Sequence, residues 1–235
     1  WMTSVYASCS SYVLGQLLGP AEACNLINDA AKHPSKKPPC FAVRALHILT
    51  HLADVTLAVD GGASHIGKSR SRHFWNALQS SCDVWVSIDD DVSASRDTLA
   101  WLLGAVEGDS PVVCVAPCLL RNGDAINIEW SPVYYEKTVL PPGGSVRRIR
   151  TAGFGLVAMN RAAMNAAAKA APTWRDLDGQ LKPAPFLESI TENGEWRGED
   201  VSFFHRLPRE VERLALTSGK TLHAGHELAL EILKS

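Results

Sequence analysis

The chain has 235 residues, 46% of them apolar, enough for one sizeable α/β core or one with a small appendage. Its formal net charge of -2 excludes a global field for nucleic acid or a membrane surface, so any polyanion must bind through local patches. Cys9, Cys24, Cys40, Cys82, Cys114 and Cys118 include no C-x-x-C pair, the start lacks a basic-then-apolar leader, and no apolar run approaches the roughly 20 residues of a bilayer span; reduced, buried thiols in a cytoplasmic protein are expected.

Residues 3–9 (TSVYASC) read as a first strand, and 11–31 as a helix broken at Gly19-Pro20. The prolines of 33–40 make a loop, after which Phe41, Ala45, Ile48, Leu49 and Leu52 share one helical face. VTLAVD (55–60) is a strand ending at Asp60 before a glycine turn. The stretch 67–78 opens basic, with Lys68, Arg70 and Arg72, and turns apolar at Phe74, Ala77 and Leu78: a helix whose first turn faces a ligand or solvent and whose later turns pack.

DVWVSIDDDV (83–92) is the centre of the reading. Val84, Val86 and Ile88 alternate with Trp85 and Ser87 as in a buried strand, which runs directly into Asp89, Asp90 and Asp91. Three adjacent carboxylates repel one another. At the carboxyl end of a strand, a divalent cation carrying a phosphorylated ligand relieves that repulsion, and a solvated turn capping the next helix is the plainer alternative.

Ser95 is then an N-cap for a helix carrying Leu99, Leu102, Leu103 and Val106 inward. PVVCVAP (111–117) is a buried strand, so strand, helix, strand argues a βαβ unit with a parallel sheet. Short strands follow at 126–130 and 133–137, ahead of the PPGG turn at 141–144. Residues 147–172 read as a strand containing Gly153 and Gly155, then an Ala-rich helix capped by Asn160 and stopped by Pro172. Residues 173–195 are loop-like, a lid candidate, and Gly198-Glu199-Asp200 open a helix with Val201, Phe204 and Val211 inward. No internal repeat is present.

In this order the pieces resemble the GT-A class of nucleotide-sugar glycosyltransferases, particularly the family 2-like enzymes of bacteria and bacteriophages, over roughly residues 50–228. The matching pieces are a DxD motif at Asp89-Asp90-Asp91, Pro117 to Arg121 as Pro-x-x-x-Arg, the aromatic glycine strand GFGLVAMNR, the acidic Gly198-Glu199-Asp200, and a late histidine in HAGHEL. The opening 40 residues do not match the usual family start. The resemblance implies a single Rossmann-like domain over 1–235, a mixed, mostly parallel sheet flanked by helices. Its donor-binding half would be about 1–120 and its acceptor-side half about 121–235.

It further implies a hexosyltransferase using Mg²⁺ or Mn²⁺ and a nucleotide-sugar donor, foremost a UDP-sugar. Asp91 would be a direct metal ligand, and Asp89 would contact the ribose or a metal-bound water. His226 would complete the sphere, since the family places this ligand in a G-H step, with His223 the other candidate. Asp60 would lie near the nucleobase, Arg70 or Arg72 near the diphosphate, and Asp90 and Arg121 along the donor. Asp200 would be the base of an inverting reaction and Glu199 would orient the acceptor. Relatives in phages glycosylate modified bases in DNA, so hydroxymethylated DNA joins glycans and small molecules as a possible acceptor, with Arg147, Arg148, Arg150, Lys182 and Trp174 as a basic and aromatic rim. A phage-encoded enzyme would act in the host cytoplasm. The alternatives are a retaining transferase, a metal-dependent phosphohydrolase or nucleotidyltransferase, and a non-catalytic nucleotide-sugar-binding domain.

Overall fold

A computed structural model of the chain describes residues 3–11, 41–61, 65–120, 125–176, 179–223 and 226–229. The expected helix over 11–31, the loop at 33–40 and Arg121 lie outside the described residues. The first half alternates strand and helix: β1 (Ser4–Ser11), α1 (Phe41–Thr50), β2 (Asp54–Gly61), α2 (Ile66–Gln79), β3 (Val84–Asp89), β4 (Val92–Ala94), α3 (Arg96–Ala105) and β5 (Val112–Val115). The second half is richer in strand: β6 (Ile128–Trp130), β7 (Glu136–Val139), β8 (Gly144–Ala152), β9 (Leu156–Asn160), α4 (Arg161–Ala170), β10 (Thr173–Arg175), β11 (Leu181–Pro183), β12 (Ser189–Ile190), β13 (Trp196–Arg197), α5 (Glu199–Arg206), β14 (Glu212–Leu216), β15 (Lys220–His223) and β16 (His226–Ala229). None of the described helices is long and apolar enough to cross a membrane.

The main sheet runs β2-β1-β3-β9-β5-β14-β8-β6, with β7 also on β8. Its β1–β2, β1–β3 and β5–β14 pairings are parallel and the rest antiparallel, so this is a mixed, Rossmann-like α/β sheet. The cause is β9. It inserts antiparallel between β3 and β5, which keep the parallel sense expected of strand, helix, strand without touching.

The glycine pair does not lie within one strand. Gly153-Phe154-Gly155 is where the chain leaves β8 and crosses to β9, on the far side of β14 and β5. A Cβ at Gly153 would lie 2.6 Å from Asn127 Nδ2, so the close passage needs glycine.

Alternation along β3 divides the core between the two faces of the sheet. Val84, Val86 and Ile88 face α1 and α3, meeting Ala45, Leu46, Leu49, Leu99 and Leu102. Trp85 faces the other layer, where Phe74 of α2, Met164 of α4 and Phe203 and Phe204 of α5 pack. Phe186 stacks on Phe203 at 4.7 Å and meets Phe154 edge-on at 4.7 Å. Each such buried ring contributes on the order of 2–3 kcal/mol of transfer free energy, and the cluster locks α5 against the β8–β9 crossing.

The caps act as expected: Ser95 accepts from the Thr98 N–H, and Asn160 from the Ala163 N–H. Segment 173–195 is ordered as two hairpins, β10–β11 and β12–β13, rather than as loop. α5 stops at Arg206, ahead of Pro208, and Val211 packs from the turn before β14. Among the described residues Cys9, Cys82, Cys114 and Cys118 are buried and form no disulfide.

Candidate active site

The chain reverses its direction of travel across the sheet at β1: β2 lies on one side of it and β3 on the other, and the crevice outside their carboxyl ends is where such folds take ligands. Asp89 ends β3 there. Ser10 of β1 registers with both Asp60 of β2 and Asp89 of β3, so the two aspartates sit level, about 10 Å apart across two strand spacings. The Asp89 N–H donates to the Gly155 carbonyl at 2.8 Å, and a Cβ at Gly155 would stand 3.2 Å from Val92 Cγ2 and 4.0 Å from Asp89 Oδ2. The glycine strand therefore approaches the acidic turn as closely as backbone can.

Arg70, in α2, organises the site. Its side chain is 2% exposed. Nη2 donates to Asp89 Oδ1 and Oδ2 at 2.8 and 2.9 Å, and Nη1 donates to Glu199 Oε1 at 3.0 Å and to Asp200 Oδ1. The guanidinium carbon lies 5.4 Å from the centre of the Phe154 ring. Arg70, expected at the diphosphate, is thus turned inward onto three carboxylates from two distant elements, α5 and β3. Glu199 and Asp200 occupy the first turn of α5, where the helix dipole favours negative charge. Asp200 Oδ2 also accepts the Phe154 N–H at 3.1 Å, so both of its oxygens are positioned.

One cation among three acids leaves the cluster two negative charges in excess. Burial pushes the Asp200 carboxyl up to about 6; Arg70 pulls it down, and Glu199 and Asp89 add to the rise. Burial opposes the charge on Arg70, yet Asp89, Asp200 and Glu199 outweigh it and hold the guanidinium protonated above the ordinary arginine value.

Beyond Asp89 the turn is fixed by a second, three-stranded sheet, β16-β15-β4. Its register sets His223 opposite Val92, and His223 Nε2 comes within 3.4 Å of Asp91 Oδ2. His223 Nδ1 lies against the Leu119 carbonyl, which can only accept, so Nδ1 carries the proton. In the neutral ring Nε2 then presents a lone pair to a carboxylate, an arrangement completed by a proton or a cation between them.

His226 registers directly opposite His223 across the β15–β16 hairpin. Asp90 and Arg72 are half-buried, Asp90 in the turn and Arg72 on α2. Among the described residues no group of three or more His, Cys, Asp and Glu side chains is arranged to hold a metal ion. Asp91 and His223 form a two-donor oxygen and nitrogen set, which could contribute two ligands to a divalent cation.

The expected basic rim is split. Arg147, Arg148 and Arg150 lie on β8, where Arg147 stacks on Trp130 and Tyr134, Arg148 stacks on Tyr135 and pairs with Glu212, and Arg150 pairs with Glu129. Lys182 is buried, bound to Asp176 at 2.8 Å and registered opposite Trp174 in the β10–β11 hairpin. The Arg70 cluster was missed as a unit because its members are 19, 129 and 130 positions apart; only the charged residue types at element ends signalled it.

No protein-family model matches the chain, and no curated protein matches it. Among solved structures it is similar to the crystal structure of A197 from STIV, at 15% identity and a TM-score of 0.49, over 94% of this chain and 85% of that one.

Proposed function

We propose that the chain is a GT-A-type, metal-dependent glycosyltransferase that moves a hexose from a nucleoside diphosphate sugar, foremost a UDP-sugar, to an acceptor hydroxyl with inversion. The observation that carries this reading is the joining, at the carboxyl end of β3, of Asp89, Glu199 and Asp200 through buried Arg70, with Asp91 and His223 paired beside them. One set of acids is tied down and tuned, and the other offers ligands.

In this reading Asp91 and His223 hold the divalent cation, which when bound neutralises charge on the departing diphosphate. Asp60, level with Asp89 at the end of β2, lies on the nucleoside side. Asp200 takes the acceptor proton. The acceptor oxygen forms its bond to the anomeric carbon as the bond from that carbon to the diphosphate oxygen breaks, and the diphosphate leaves with the electron pair. With a value of about 6, Asp200 is about 100-fold more basic than an ordinary aspartate yet mostly ionised at pH 7. Arg70 and the Phe154 N–H act as positioning groups for that carboxylate.

The test is calorimetric titration with UDP, GDP, CDP and dTDP, each with Mn²⁺ and with chelator, followed by transfer assays with the matching sugar donors. Binding of one nucleotide that is lost with chelator is expected. Binding of none overturns the reading, and hydrolysis of a nucleotide without sugar transfer moves the chain to the phosphohydrolases.

A further inference from the structure

Against the start of α2 lies a cavity of about 450 Å³ lined by Ile66, Trp174, Ala184, Phe186 and Leu187, with Lys68 among its polar residues. It is a seam between two pieces of chain. The first turn of α2 runs so close to residue 186 that a Cβ at Gly67 would lie 2.5 Å from the Phe186 carbonyl oxygen, and 3.4 Å from Glu199 Cβ. Gly67, which lines the cavity, thus also packs against the base of the Glu199 side chain. The opposite wall is equally tied to the site, since Phe186 stacks at 4.7 Å on Phe203, four residues beyond Glu199 in α5.

The chemistry of the lining is that of an apolar ring site. Ile66 and Leu187 stay 40% and 52% exposed, and Leu181, Ile190 and Trp196 in the adjoining hairpins are more exposed still. Two of the nine large apolar side chains exposed among the described residues, Ile66 and Leu187, thus line the cavity itself, where they present apolar surface to a ligand. The volume falls in the range of small-molecule sites. A polynucleotide finds little here: Lys68 stands 5.3 Å from the Trp174 ring centre, Glu188 lines the same cavity, and Arg148 and Arg150 of β8 border a separate cleft at the far end of α5 with His205 and Arg209.

We propose that this cavity is the acceptor subsite and that it takes a small molecule bearing an apolar ring next to the group that carries its reacting hydroxyl, the ring entering between Ile66, Trp174 and Leu187. The word acceptor rests on the transferase reading above; the apolar ring site does not. Binding by the full chain is measured by calorimetry with phenyl β-glucoside as probe, against glucose and against a hydroxymethylated DNA oligonucleotide, in parallel with the nucleotide titrations. Phenyl β-glucoside is expected to bind at least about tenfold more tightly than glucose, and Leu187→Asp and Ile66→Asp are each expected to weaken it about tenfold while nucleotide binding stays unchanged. Both side chains are exposed, and an aspartate at the first position of α2 suits a helix N-terminus, so these variants fold. Equal binding of glucose and its phenyl derivative, indifference to both substitutions, or binding of the oligonucleotide alone overturns the proposal. If the phenyl glucoside binds as described but no nucleotide does, the ring site stands and its acceptor role falls with the transferase reading.

Discussion

Replacing Arg70 tests the architecture of the site without assuming its activity. In Arg70→Met the side-chain volume is largely kept, but Asp89, Glu199 and Asp200 lose four hydrogen bonds and their one shared cation. The three carboxylates are 18–25% exposed, too little for water to restore what is lost. Removing one partner of a buried ion pair costs about 3–5 kcal/mol. For a chain of this size that lowers Tm by roughly 6–20 °C at pH 8. The sign with pH follows from proton binding: Arg70 pulls the raised Asp200 value down, so without Arg70 that carboxyl holds its proton still more tightly in the folded than in the unfolded state, and stability falls as pH rises above about 4. The deficit against wild type therefore shrinks at pH 5. Thermal and urea unfolding at pH 5 and pH 8 read both quantities. A lysine cannot reproduce four bonds in a planar fork, so Arg70→Lys recovers only part of the loss. A fall in Tm of under about 3 °C at pH 8, or an equal fall at both pH values, refutes the cluster as described.

Asp200 gives a second pH test: its folded value of about 6 exceeds the ordinary aspartate value, so its contribution favours the folded state below about pH 4 and is lost by about pH 6. Stability of wild type minus Asp200→Asn should fall across that window by on the order of 2 kcal/mol in urea unfolding, and kcat/KM for transfer should rise with pH through about 6 in wild type alone. Asp91→Ala and His223→Ala should each weaken Mn²⁺-dependent nucleotide binding about tenfold or more in calorimetry, and loss of binding in His226→Ala with none in His223→Ala would reverse the assignment. Asn160→Ala should lower unfolding free energy by about 3 kcal/mol in urea titration, because that one side chain accepts from the Ala163 and Val112 N–H groups and donates to the Gly108 and Ser110 carbonyls.

What could be read in advance was what lies local in the chain. Period-2 alternation placed β3, and side-chain oxygens at Ser95 and Asn160 placed two helix starts, because each signal spans fewer than six residues. β14 escaped because Leu214, Ala215 and Leu216 are all buried in the sheet interior, so the strand carries no alternation to distinguish it from a continuing helix. A mixed sheet was expected, but the place of its antiparallel strand escaped: nothing within LVAMN says that β9 inserts between β3 and β5. The chemistry followed this division. Residue types at element ends marked Asp89, Asp91, Glu199 and Asp200, whereas the partners of Glu199, Asp200 and Asp91 depend on packing across more than a hundred residues.

Arg70 is the instructive case. A basic first turn facing a ligand and a buried arginine binding acids look alike in one dimension, since both place a cation near a helix start. Only the return of α5 onto β8, clamped by Phe154, Phe186 and Phe203, brings Glu199 and Asp200 to that cation. The same clamp forms a wall of the apolar cavity. Any change that loosens the aromatic cluster should therefore disturb the acid cluster and the ring site together, although no ring in it carries a charge.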